Sequence, residues 1–159
     1  MYIRLHPNSE KLDYAYYRAG LSYEKEMPKQ IDRDQSSLDK AIDNFANVFR
    51  NFPESPYAKL AQAKYDGIRT RLAKKNMYVG NFYFKYGQYL ASIPRFLTVL
   101  QDYPELGFDT EALYRLALAY HRLGDKDKAQ GAAQLMQERF PTDKRTKKIV
   151  GKILGGSHG

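Results

Sequence analysis

A chain of 159 residues suits one domain and is long enough to bury a core. Its 43% hydrophobic and 28% charged residues are ordinary for a globular protein, and no stretch approaches the roughly 18 apolar residues that span a bilayer. The absence of Cys excludes disulfides, thiolate zinc sites and thiol catalysis. The formal charge of +8 raises a nucleic-acid reading, but the positives are spread over many helical segments beside acids, which argues against one.

The opening Met1-Tyr2-Ile3-Arg4-Leu5-His6-Pro7 is not a signal peptide, having no basic start, apolar run and small-residue cleavage site, so the sequence carries no address of its own. His6-Pro7 reads as the end of a truncated repeat covering residues 1–10. Three later segments close on an aromatic-Pro pair: Phe52-Pro53, Tyr103-Pro104 and Phe140-Pro141. The same interval separates Gly87 from Pro104 and Gly124 from Pro141, with a helical pattern on either side of each glycine. Gly at one helix end and Pro just beyond the next is a helix-stop grammar. The repeats are therefore placed at 11–53, 57–104 and 109–141, followed by a terminal helix over 142–154, all in one domain spanning 1–154. A flexible tail or cloning remnant occupies 155–159.

Within each repeat a small residue marks the first helix: Gly20, Gly80 and Ala117. A small residue lets the two helices of a hairpin approach closely, and Tyr23, Tyr83 and Tyr120, three residues on, fill the space beside that contact. This is tetratricopeptide spacing, and it predicts an all-α, TPR-like α-solenoid of antiparallel helical hairpins. The first full unit carries an insertion of about nine residues around Met27–Gln35, which maps to a loop at one edge of the stack. A helical run from Tyr57 to Tyr65 is expected to merge with the next first helix into one long element. Pro94, inside a predicted second helix, should delay or kink it.

Catalytic signatures are missing. There is no dinucleotide or phosphate-loop glycine motif and no His-Glu-x-x-His. His6, His121 and His158 fall in separate segments, so neither a metal site nor a cofactor is expected, nor an enzyme. Asp32, Arg33 and Asp34 read as a loop salt bridge, a helix N-cap or a partner contact.

Solenoids present a concave surface built from the first helix of each hairpin. Taking the small residue as a register mark selects Tyr14, Tyr17, Leu21 and Glu24, then Lys74, Met77, Asn81 and Phe84, then Glu111, Tyr114, Leu118 and His121. Tyr, Met, Phe and Leu there make an aromatic-rich trough suited to a peptide, with packing against an added helix of the same chain as the competing reading. Lys144, Arg145, Lys147, Lys148 and Lys152 make the last helix basic, offset only by Asp143. That face is either simply solvated or drawn to an acidic protein or anionic lipid surface.

Taken in order, several stretches carry a family resemblance. They are Tyr2–Asn8, Asp13-Tyr14, Arg18-Ala19-Gly20-Leu21, the loop with Asp32-Arg33-Asp34, Phe52-Pro53-Glu54-Ser55-Pro56-Tyr57-Ala58 and Arg71-Leu72-Ala73-Lys74. Tyr83–Gly87, Asp102-Tyr103-Pro104, Asp109–Leu113 and Ala119–Gly124 continue the series. The chain resembles the BamD family, the TPR lipoproteins of the β-barrel assembly machinery of the bacterial outer membrane. The resemblance implies an acylated, non-catalytic scaffold on the periplasmic face of that membrane. Its implied partners are the POTRA domains of BamA, other assembly-machinery lipoproteins and unfolded outer-membrane proteins, with no nucleic acid. Arg95 matches the family position from which an Arg reaches an acidic POTRA residue, with Tyr103 and Arg122 as neighbours. The lipid-bearing Cys and the first repeats of the family have no counterpart here, so the membrane is met only through an anchor absent from this chain. The alternative is another periplasmic TPR adaptor, of the Tol-Pal-associated cell-division type, which should lack the insertion.

Overall fold

The computed structural model describes residues 11–26 and 36–155. The expectations for residues 1–10, the inserted loop with Asp32, Arg33 and Asp34, and the tail from 156 lie outside the described residues. Among the described residues seven helices follow in order: α1 (Leu12–Lys25), α2 (Ser36–Asn51), α3 (Ala58–Lys85), α4 (Tyr89–Asp102), α5 (Asp109–Leu123), α6 (Lys126–Arg139) and α7 (Lys144–Ile153). They pack as neighbours in sequence, the all-helical array that the repeat predicts. Two compact units divide between Arg71 and Leu72, inside α3. That helix is the single long element expected from the extra helical run, 28 residues from end to end.

In the first unit α1 and α2 close on each other at Gly20. A Cβ there would lie 2.6 Å from the Phe45 ring, so only hydrogen fits. Phe45, Val48 and Ala41 of α2 are wholly buried behind this contact, where a removed ring would cost about 3–5 kcal/mol. The turn into α3 is braced by Ser55, whose hydroxyl donates to the Asp13 carboxylate and accepts from the Tyr57 N–H at 3.1 Å. Lys64 of α3 pairs with Glu24 of α1 at 3.1 Å.

The second unit repeats the joint. Gly80 of α3 lies against Phe96 of α4, and a Cβ on it would come within 2.8 Å of that ring. In the next hairpin Ala117 of α5 and Ala133 of α6 are both wholly buried in the same core cluster. These small residues stand at the sequence positions that Gly80 and Phe96 hold in the preceding hairpin. Met77, Phe96, Val99, Leu113, Leu116, Met136 and Ile149 fill the remainder of that core.

Gly87 and Gly124 end their helices as the sequence predicts. Both take positive φ, +74° and +78°, and the residue after each donates back across the turn, Gln88 to Tyr83 O at 2.8 Å and Asp125 to Tyr120 O at 3.0 Å. A left-handed glycine with that six-residue bond satisfies helix-end carbonyls without a Cβ clash. Pro94 does not delay α4, which begins at Tyr89 directly after the turn and runs through it. Pro94 is the sixth residue of α4, so its missing N–H removes one early bond and the rest of the helix forms beyond it.

Asp109 is buried at the start of α5, where Arg139 of α6 reaches it at 3.1 Å and the Glu105 N–H donates to it at 3.2 Å. Glu105 holds φ +64°, and this carboxylate fixes that turn. On α7, Asp143 caps the helix by accepting from the Arg145 N–H at 2.8 Å, and its carboxylate also takes the Arg145 guanidinium at 3.0 Å. The Arg145 side-chain hydrogen bond holds the Asp143 carboxyl below its usual range.

Candidate functional site

The trough residues separate into those that face solvent and those that fasten helices together. In the first unit Tyr14 and Tyr17 both gather on Tyr57, each with ring centroids 5.3 Å apart, and Tyr17 also meets Phe45 at 5.9 Å. Tyr14 keeps 42% of its surface exposed, so it is the more accessible ring of this pair.

In the second unit the register places Met77 differently. It is 5% exposed and belongs to the core, because its side of α3 is covered by the neighbouring helices. Phe84 is half-buried against the same cluster; its ring meets Tyr89 edge-on at 5.2 Å, and the Arg115 guanidinium lies 5.1 Å from it. Arg122, exposed, reaches the other neighbour, Tyr89, at 6.0 Å. Phe84 and Arg122 are thus joined through Tyr89, which with Arg115 the sequence reading did not select. Asn81 Nδ2 donates to Glu111 at 3.3 Å, linking α3 to α5 beside them. Tyr114 is half-buried against the core, while His121 is exposed on a cleft of about 400 Å³ that Lys126, Lys152 and Ile153 also line.

Arg95 is half-buried on α4 and donates to Asn76 Oδ1 at 3.3 Å; Asn76, itself buried, is held by the Leu72 carbonyl at 2.9 Å. The guanidinium is therefore preorganised, with one nitrogen engaged on α3 and part of its surface open. Tyr103, half-buried, caps the C-terminus of the same helix.

The near-helical spacing of Tyr78, Phe82, Tyr83 and Phe84 predicts rings that are mostly core with one face left over, and Tyr78 and Phe82 lie instead on an exposed face. Tyr78, Phe82, Tyr86 and Leu90 are 75%, 51%, 63% and 75% exposed, the rings of Phe82 and Tyr86 lying 4.9 Å apart. The sequence held a signal for it. No acid occurs between Asp66 and Asp102, while Arg69, Arg71, Lys74, Lys75, Lys85 and Arg95 all do. This run corrects the reading of evenly mixed charge.

Among the described residues no three His, Asp or Glu side chains gather as a metal site, and no helix is long and apolar enough to cross a membrane. The arrangement offers surfaces for other macromolecules.

Comparison with known proteins gives a consistent picture. The family model described as outer membrane lipoprotein, YfiO, matches residues 1–135. The outer membrane protein assembly factor BamD of Rickettsia prowazekii is 35% identical over 144 residues, covering 91% of this chain and 57% of that protein. BamD of Caulobacter vibrioides is 32% identical over 143 residues, covering 90% and 47%. The protein of the same name from Pasteurella multocida is 31% identical over 145 residues, covering 86% and 56%. The chain spans about half the length of these curated relatives.

Proposed function

The chain belongs to the BamD (YfiO) family of outer membrane lipoproteins, and on that premise we propose that it is a non-catalytic scaffold of outer-membrane protein assembly. The observation that carries this reading is the 35% identity, over 91% of the chain, to a protein named as an outer membrane protein assembly factor. It works at the periplasmic face of the outer membrane and holds a BamA-type POTRA domain through Arg95, with Tyr103 and Arg122 as flanking contacts. The tether from Asn76 supports that role for Arg95, because a guanidinium already oriented loses less rotamer entropy when a carboxylate arrives. Half-exposed aromatic residues at Tyr14, Tyr17, Phe84 and Tyr114, with His121, supply the contacts for unfolded outer-membrane proteins.

The test is a binding measurement between the protein and the POTRA region of its own BamA. Arg95→Glu is expected to weaken binding by about a hundredfold, since it leaves a partner carboxylate facing a like charge. Unchanged affinity, with circular dichroism showing the variant folded, removes Arg95 from the docking site.

A further inference from the structure

The exposed aromatic row on α3 has an internal counterpart that shows what such a face accepts. Gly80 and Gly87 correspond to Ala117 and Gly124 at one constant interval, so Phe82 corresponds to Ala119 of α5. Ala119 is wholly buried, in a core cluster shared with Ile93, Phe96 and Val99 of α4, the helix packed against α5. At the matching position α3 presents Phe82 half to solvent, flanked by Tyr78 and Tyr86. The central position of this face is therefore covered by a helix in one hairpin and half open in the other.

We propose that the Tyr78–Phe82–Tyr86 row is a docking site for an amphipathic, acidic α-helix of another protein. Three observations select this occupant. The rings recur every four residues, about 6 Å apart along the axis, the pitch at which one helix offers i, i+4 side chains to another. An isolated exposed ring is ordinary on a protein surface, but a contiguous apolar row marks an interaction site. The helix around the row is basic: Lys74 and Lys85 are exposed along it and the sequence has no acid between Asp66 and Asp102, while the one carboxylate that reaches this stretch among the hydrogen bonds described, Glu111 of α5, is held by Asn81. A partner helix with apolar residues toward the rings and Glu or Asp beside them buries the row and answers the charge. This site is separate from Arg95, so its fate does not depend on the POTRA reading.

A photoreactive phenylalanine analogue placed at position 82 of the complete protein, in its native cell envelope, tests this. Labelled residues in one protein segment should recur three or four apart, in a sequence where acids outnumber bases. Lys74→Glu with Lys85→Glu should cut that labelling about tenfold, with helicity by circular dichroism unchanged because both sites are exposed. Labelled residues two apart, which mark an extended strand, overturn the proposal. So do adducts to lipid alone, adducts to a second copy of this chain, and labelling no stronger than from exposed position 137.

Discussion

The α1–α2 hairpin and the α3–α4 hairpin are closed by the same contact and turn different chemistry outward. Gly20 meets Phe45 in one and Gly80 meets Phe96 in the other, each too close for a Cβ. Two residues before and after the glycine, α1 carries Arg18 and Ser22 where α3 carries Tyr78 and Phe82. The joint answers to packing, which is identical in both, so its residues agree. The outer face answers to whatever meets it, and there the two hairpins diverge. The α5–α6 hairpin differs from both, with Ala117 and Ala133, at the matching positions, each wholly buried.

The comparison breaks most directly at the rings. Phe45→Ala and Phe96→Ala should each cost about 3–5 kcal/mol in urea unfolding, the two values lying within about 1 kcal/mol of each other. A much larger difference between them would mean that the two joints are not equivalent. Adding a methyl on the other side, by Gly20→Ala or Gly80→Ala, should cost about 1–3 kcal/mol. Ala117→Gly, in the hairpin where Ala133 stands at the ring's position, should cost only about 1 kcal/mol, from helix propensity. If Gly80→Ala is neutral by the same measurement, the close approach is not what selects glycine.

The outward faces should behave oppositely. Tyr78→Ser and Tyr86→Ser ought to change stability by about 0.5 kcal/mol or less, as exposed residues do, while sharply cutting partner labelling from position 82. The smallest effect concerns α7. The Arg145 hydrogen bond holds the Asp143 carboxyl below the ordinary carboxylate range in the folded protein, so its capping contribution is complete above the ordinary unfolded value and is lost as pH falls through the lower folded one. Amide protection factors in α7, taken relative to the unfolded chain at each pH, should therefore hold from neutral pH down to mildly acidic conditions and fall only in strong acid. Asp143→Asn should remove that acid-dependent step while keeping much of the cap.

Much of the fold was legible because its signals are local. Gly87 and Gly124 ended helices where predicted, since a left-handed C-terminal residue is a demand on one position. Gly20 and Gly80 were legible as close contacts because a missing side chain matters only where something approaches. Of the delay or kink expected at Pro94, the delay did not occur, because a proline in the first turns of a helix and one in its middle look alike until the helix start is known. Met77 misled for a related reason. The register mark gives an angle around the helix, and whether that angle meets water or a neighbour depends on how the next hairpin is rotated.

Residue order alone therefore determined an all-helical repeat and the pairing of its helices, because periodicity and turn chemistry act over a few residues, while membership of an outer membrane lipoprotein family rests on likeness to relatives over most of the chain. Only the tertiary structure decided which aromatics became core and which stayed outside. Phe84 and Phe82 differ by two positions on one helix, yet one packs beneath Arg115 while the other stays half exposed. Burial is a property of the neighbours that long-range packing brings, and no local pattern encodes them.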